Sequence, residues 1–248
     1  MQMGIEEFTS LDIMRALFAL IFVIISLISG LKILGKYFKH KNKSFISVGL
    51  TWIFISTPWW PLPITLITVF FFNYALEPLV YLYLMTAFIP LALIFWIISF
   101  AILIYPTHKK QIIIPYLIIC MSYFIIYHIL LFINLDYISK YKGHFQYQHS
   151  IFIYIFLVFT LFSAMITGFL FALKSTKSED PRIQWKGRFL FLAILLFIIG
   201  VFFDTFSFGS VIMQTIARFI LIFSAIEYYM GFFLPRKLEN WLTKDKNT

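Results

Sequence analysis

The sequence predicts an all-α polytopic membrane protein, a single transmembrane domain over residues 1–248 built as a bundle of seven helices. Two compositional observations support this fold class: 61% of the residues are hydrophobic and only 12% are charged. A soluble domain averages about 45–50% apolar and about 25% charged residues, and could not cover this much apolar surface in water. The third observation is that the apolar residues form seven runs of about 20 or more, the length needed to cross the bilayer core.

The seven runs define the predicted spans. They do not alternate polar and apolar residues as barrel strands do, and a helix satisfies its own backbone groups in lipid. We expect helices at residues 11–35, 45–70, 79–105, 111–135, 150–173, 188–206 and 209–234. Residues 236–246 follow as a short amphipathic tail, whose Leu238, Trp241 and Leu242 share one helical face and suit the inner membrane surface.

The basic residues orient the bundle. Most of the 20 Lys and Arg residues lie after spans 1, 3, 5 and 7, whereas acidic residues such as Glu6, Glu7 and Glu77 lie at the other ends of the spans. The positive-inside rule then places the N-terminus outside and the C-terminus inside a cell membrane. Because the basic residues form separate clusters and share no single surface, the net charge of +9 does not indicate nucleic-acid binding.

The segment STPWWPLPIT, residues 56–65, predicts that span 2 is broken or kinked at Pro58–Pro63. Each proline lacks a backbone N–H group, and a proline in a helix interior clashes with the preceding turn. Two interpretations remain open. The prolines end the helix at the outer interface, with Trp59 and Trp60 in an aromatic belt, or the break lines a ligand site, as discontinuous helices do in transporters.

Arg218 lies within span 7, about 13 Å from its outer end at 1.5 Å per residue. A charge at this depth costs at least about 2.5–3.5 kcal/mol, so we expect Arg218 to face the bundle and to have a partner. Asp204 at the outer end of span 6 is the nearest candidate, and Gln214 lies one turn from Arg218 on the same face. The pair is either a structural ion pair or part of a functional site.

The depth of Arg218 coincides with that of the Pro-Trp break, which indicates a ligand site in the outer half of the bundle. One guanidinium among aromatic side chains suits a small amphiphilic or anionic ligand. His128 in span 4 lies at a similar depth, although a lone histidine on an apolar helix is more often simply hydrogen-bonded. The candidate ligand-binding residues are Arg218, Gln214, Asp204, Trp59, Trp60, Thr57 and His128.

The chain shows no pattern typical of a metal centre or a catalytic site. Asp136, His144 and His149 in the outer loop 136–149 are weak zinc candidates, because the His-x4-His spacing in a loop is not specific and solvated loop residues are the default. Hydrolase, metalloprotease, P-loop and dinucleotide motifs are missing from the sequence. We therefore expect no metal, no catalytic residues and no enzymatic activity.

Two resemblances bear on the class of seven-span protein. TWIFISTPWW is similar to the Trp and Thr-Pro motif of microbial rhodopsins, but that motif lies in an outward-to-inward third span. Retinal also requires a lysine in the last helix, and span 7 offers Arg218, so no retinal cofactor is expected. The segments TPWWP and EYYMGFFLPRKLENWL resemble uncharacterised archaeal seven-span membrane proteins, including the membrane modules of some sensor proteins.

These observations predict a sensor or receptor-like protein with a small-molecule or lipid-like ligand. Because the cytoplasmic loops are too short to hold a signalling domain, the signal would pass to a separate cytoplasmic or membrane protein partner. Two alternatives remain: a small-molecule transporter or channel, and a structural subunit of a larger membrane complex.

Overall fold

The computed structural model describes residues 2–143, 146–207 and 210–243. In this part of the chain the architecture is helical. The helices are α1 (Ser10–His40), α2 (Ser44–Ile55), α3 (Pro61–Phe72), α4 (Pro78–Thr86), α5 (Ile89–Ile104), α6 (Lys109–Ile133), α7 (Ile151–Thr176), α8 (Pro181–Thr205), α9 (Val211–Phe233) and α10 (Arg236–Thr243). Short 3-10 helices cover Ile5–Glu7, Thr57–Trp59 and Leu135–Tyr137, and strands β1 (Ser139–Gly143) and β2 (Gln146–His149) form an antiparallel hairpin.

Six helical segments are long and apolar enough to cross a membrane: α1, α4 with α5, α6, α7, α8 and α9. Helices α2 and α3 meet at 60° and provide a seventh crossing if together they form one span. Large apolar side chains are exposed along the bundle, among them Ile118, Ile125 and Phe132 of α6. Such surfaces mark contact with lipid or protein rather than with water. The multi-pass helical architecture is thus confirmed, while the count of seven and the orientation stay predictions.

The prolines of residues 56–65 begin new helical segments. Pro61 and Pro63 lie in the first turn of α3, where the N–H groups have no intrahelical partner and proline costs no hydrogen bond. The hydroxyl groups of Ser56 and Thr57 donate to the carbonyls of Ile53 and Phe54, each at 2.8 Å, at the end of α2. The bend therefore lies at the junction where α2 ends and α3 begins.

Two large apolar cores divide the bundle, and a smaller third cluster packs the N-terminal segment against α3. The first core joins α1, α2, α8 and α9 around Phe22, Trp52 and Leu221, and the C-terminal half of α7 also contributes to it. The second core joins α4, α5, α6 and the start of α7 around Leu93 and Tyr127. Helices α5 and α7 therefore border the seam between the two cores.

The described residues of the loop 136–149 form regular structure and contact the helices. Its strands pair Ser139 with His149, and Tyr147 packs against Tyr81 of α4 with ring centroids 5.1 Å apart. Ile138 is fully buried in the second core. Apolar contacts with the helices therefore hold these residues in place.

The predicted amphipathic tail forms α10, which contacts α8. Arg182 Nε lies 3.2 Å from Glu239 Oε2, and the indole N–H of Trp185 donates to the carbonyl of Leu242 at 3.0 Å. Trp241 is 71% exposed and free to contact a membrane surface. Residues 244–246 of the predicted tail lie outside the described residues.

Helices α1 and α2 approach closely where Gly30 faces Gly49. A Cβ atom added to Gly49 would lie 2.6 Å from Leu34 Cγ and 2.8 Å from the carbonyl oxygen of Gly30. Small residues at such crossings allow the backbones of two membrane helices to approach each other.

Replacing Gly49 with alanine should therefore separate α1 from α2. We expect Gly49→Ala to lower the free energy of unfolding by about 1–3 kcal/mol, the usual effect of overpacking. Gly35→Ala is the matched control, because nothing lies within 4 Å of a Cβ atom at that α1 position. Thermal unfolding in detergent measures both, and equal stability of the two variants would contradict the assigned crossing.

Candidate functional site

Arg218 lies in a buried ionic contact between α1, α8 and α9. Its Nε atom is 3.7 Å from Asp204 Oδ1 in the last turn of α8, which is the partner that the sequence indicated. Its Nη1 atom donates a 3.0 Å hydrogen bond to the backbone carbonyl of Arg15 in α1. The Arg218 side chain thus joins the ends of three helices, and both contacts reduce the cost of burying its charge.

Arg15 is a second buried arginine that sequence reasoning did not include among the site residues. It is 1% exposed, and its Nη1 atom donates to Asp12 Oδ1 at 3.0 Å. Asp12 also completes a capping box with Thr9 at the start of α1. The i, i+3 spacing of Asp12 and Arg15 on a helix is the signal that could have identified this pair. Asp12, Arg15, Asp204 and Arg218, here called the ion cluster, carry no net charge.

Trp59 connects the ion cluster to the apolar interior. Its indole N–H donates to Asp204 Oδ2 at 2.9 Å. The ring packs edge-on against Phe22 at 5.0 Å and Phe197 at 6.2 Å, measured between centroids. The 3-10 helix Thr57–Trp59 between α2 and α3 therefore directs this side chain into the bundle.

Gln214 and Thr57 make local hydrogen bonds near the cluster. The side-chain amide of Gln214 donates to Ser207 Oγ at 3.0 Å, and that hydroxyl donates to the carbonyl of Asp204 at 3.1 Å. The Thr57 hydroxyl donates to the carbonyl of Phe54. Gln214 therefore stabilises the turn that follows Asp204 through Ser207, while Thr57 hydrogen-bonds a carbonyl at the end of α2.

Trp60 and His128 lie away from these contacts. The Trp60 indole N–H donates to Ser56 Oγ at 3.1 Å, and its ring borders a separate apolar groove between α1 and α3. His128 Nδ1 lies 2.7 Å from the carbonyl of Phe124, and its ring meets Tyr83 of α4, on the side of the second core. The structure thus brings together Arg218, Asp204 and Trp59 but leaves these two residues elsewhere.

The structure describes two of the three weak metal candidates, Asp136 and His149. Asp136 is exposed, and His149 Nδ1 lies 2.7 Å from Ser139 Oγ, whereas His144 lies outside the described residues. No group of three potential His, Cys, Asp or Glu ligands occurs among the described residues. Burial lowers the pKa of His149 from its ordinary 6.5 to about 4, so its imidazole is neutral near pH 7.

A partly open cavity of about 110 Å³ lies at the seam between the two cores. Residues of α2, α5, α7 and α8 form its wall, with Tyr228 contributed by α9 and Trp59 by the junction between α2 and α3. None of the described residues on this wall is charged. Of the candidate ligand-binding residues, Trp59 lines the cavity, while Arg218 and Asp204 do not. Trp59 therefore lines the cavity and at the same time donates a hydrogen bond to the ion cluster through its indole N–H.

Removing the counter-charge of Arg218 should destabilise the protein. Asp204→Asn keeps the shape of the side chain and an acceptor for Trp59, but it removes the carboxylate that faces the Arg218 guanidinium and leaves that charge without a counter-charge. Breaking a buried pair in this way costs about 3–5 kcal/mol. Combining it with Arg218→Met should recover part of the loss, because no charge then remains unpaired.

Thermal unfolding in detergent measures these variants. Arg182→Gln is the control, because Arg182 forms an exposed ion pair with Glu239, and such pairs contribute at most about 1 kcal/mol. An Asp204→Asn variant as stable as the wild type, or a double variant less stable than the single one, would refute the proposed pairing.

His149 should make stability depend on pH. Because its pKa is lower in the folded state than its ordinary value of 6.5, the unfolded chain binds a proton first as the pH falls. We expect stability to be full above pH 6.5, to decrease as the pH falls from 6.5 towards 4, and then to level off. The measurement is thermal unfolding at several pH values for wild type and His149→Gln; identical pH profiles would count against this assignment.

The chain matches no protein-family model, and no curated protein shows significant sequence similarity to it. The resemblance to archaeal seven-span proteins therefore stays a prediction.

Proposed function

We propose that this chain is a seven-span sensor or receptor-like membrane protein that binds a small molecule in the cavity and signals through a separate protein. In this proposal α2 and α3 form one broken span, and the cavity opens in the outer half of the bundle. The observation that carries the proposal is the position of Trp59, which lines the cavity and also donates a hydrogen bond to Asp204.

The chemistry of the wall favours a neutral ligand over an anion. Aromatic and aliphatic side chains surround the cavity, and the described residues on its wall include no cation. The Arg218 guanidinium already contacts Asp204 and the carbonyl of Arg15. An anion would have to displace Asp204, whereas a neutral amphiphile loses little on entering an apolar site. At about 110 Å³ this cavity is smaller than the cavity of about 150 Å³ that holds benzene in another protein, but it is partly open, so we expect a ligand no larger than one substituted ring that extends through the opening.

Trp59 offers a route from ligand binding to a structural change. A ligand that displaces the indole ring weakens its hydrogen bond to Asp204 and with it the position of the ion cluster. The cluster joins α1, α8 and α9, so a shift there changes how these helices pack. A ligand acts as a signal only if it binds one of two arrangements more tightly, and the seam between two separate cores can supply both arrangements.

A transporter is the second candidate, favoured by the 60° angle between α2 and α3. Discontinuous helices border substrate sites in several transporter folds, and a transporter must open its site to both sides of the membrane. Ala164→Cys places a thiol on the cavity wall, and replacing the buried Cys120 with serine removes the native one. Labelling by a membrane-impermeant maleimide from both sides would favour a transporter; labelling from at most one side would favour a sensor.

Filling the cavity should prevent binding. Ala164 lines the cavity from α7, and Ala164→Phe introduces a ring of about the size of the expected ligand. We expect wild-type protein in lipid nanodiscs to bind 4-fluoroacetophenone, observed by ¹⁹F NMR, and Ala164→Phe to bind it at least tenfold more weakly.

Ile166→Phe is the matched control, because Ile166 is on the same helix but 56% exposed. Leu161→Trp, also on the cavity wall, is a second filling variant should Ala164→Phe unfold. The proposal fails if the wild type does not bind the compound, or if both folded filling variants bind it as well as Ile166→Phe does.

A further inference from the structure

Three residues that line the cavity each carry a buried polar atom without a hydrogen-bond partner among the described residues. These atoms are the indole nitrogen of Trp52, the phenol oxygen of Tyr228 and the hydroxyl oxygen of Thr160. Trp52 and Tyr228 are each 4% exposed, so these groups cannot be satisfied by bulk solvent. Their helices, α2, α9 and α7, approach the cavity from different directions.

The other hydrogen-bonding side chains on the wall are satisfied. The Thr51 hydroxyl donates to the carbonyl of Ser47 at 2.8 Å. The Trp96 indole N–H donates to Thr167 Oγ1 at 2.7 Å, and that of Trp59 donates to Asp204. The unsatisfied groups are therefore a distinct subset of the wall.

Trp52 and Tyr228 pack directly against each other. Their rings are stacked in parallel with centroids 3.6 Å apart, which holds the indole and the phenol face to face. Phe197 packs against Trp52 at 6.3 Å and restricts its rotation. The pair therefore forms a rigid part of the wall that carries two hydrogen-bond donors without a partner among the described residues.

A buried donor without a partner costs about 1–3 kcal/mol, and more than about 90% of buried polar groups in proteins are paired. Three exceptions around one cavity indicate that their partner belongs inside it. An indole N–H can only donate, so the partner must supply an acceptor. The Tyr228 hydroxyl can donate to the same acceptor, and the Thr160 hydroxyl can donate or accept.

Building on the proposed function, we propose that the cavity binds a neutral amphiphile whose polar end is a hydrogen-bond-accepting oxygen, such as a carbonyl. The oxygen accepts from the Trp52 indole N–H and the Tyr228 hydroxyl, while an apolar ring or chain contacts the aliphatic wall. Ordered water in the cavity is the competing occupant, since one water molecule can also satisfy two to four polar groups. A cavity in which water satisfies these groups would not distinguish compounds with an acceptor from compounds without one, whereas the proposed ligand site would.

Two compounds of similar shape test the acceptor. 4-Fluoroacetophenone carries a carbonyl oxygen where 4-fluoroisopropylbenzene carries a methyl group, and ¹⁹F NMR in lipid nanodiscs measures the affinity for each. Dissociation constants are compared after correction for partitioning into the lipid. We expect the ketone to bind about tenfold more tightly, the effect of about one net hydrogen bond.

Tyr228→Phe removes the hydroxyl but keeps the stacked ring, and it breaks no hydrogen bond among the described residues. We expect it to weaken ketone binding about fivefold to tenfold and to leave hydrocarbon binding unchanged. Tyr229→Phe is the matched control, because the Tyr229 hydroxyl accepts from Lys32 at 2.9 Å and Tyr229 does not line the cavity. Thr160→Val provides a second variant of unchanged shape.

The outcomes separate this inference from the proposed function. Equal binding of ketone and hydrocarbon by wild-type protein overturns the inference, with water as the partner, and leaves the ligand-binding function standing. Binding of neither compound overturns both. A ketone preference that persists undiminished in Tyr228→Phe overturns the assigned contacts.

Discussion

The burial of two arginines in an apolar bundle is the constraint on which the rest of this structure depends. A guanidinium cannot lose its proton in a protein, so each buried arginine needs a carboxylate or backbone acceptors to offset its desolvation. Asp12 accepts a hydrogen bond from Arg15 within α1. Arg218 forms an ionic contact with Asp204 on α8 and donates a hydrogen bond to the Arg15 carbonyl on α1. These contacts require α1, α8 and α9 to meet at one end of the bundle, and they define the packing of the first core.

The same constraint gives the cavity its connection to the rest of the molecule. Asp204 accepts from Trp59 as well as facing Arg218, so the indole is held at a defined position on the cavity wall. The cavity lies between the two cores, where packing is interrupted. The proposed function rests on this adjacency of a buried ionic cluster and a cavity, which Trp59 connects.

The candidate site was predictable in part. The depth of Arg218 and the spacing along α8 and α9 were enough to indicate Asp204 as its partner, and the Pro-Trp segment indicated a contribution from Trp59. Arg15 was overlooked because a charged residue near the predicted end of a span is common and needs no special partner. Trp60 was included with Trp59 from the Pro-Trp segment and His128 for its depth, and neither signal says which way a side chain points around its helix.

Apolar run length determined the helices of this protein in advance of any structure. A helix in lipid satisfies its backbone groups within its own segment, so its existence is a local property of the sequence. Which faces meet is not local: lipid and protein interior are equally apolar, and no polar face marks the inward side of a membrane helix. Trp52, Thr160 and Tyr228 lie on three separate helices, and only tertiary packing brings their unpaired polar atoms to one cavity.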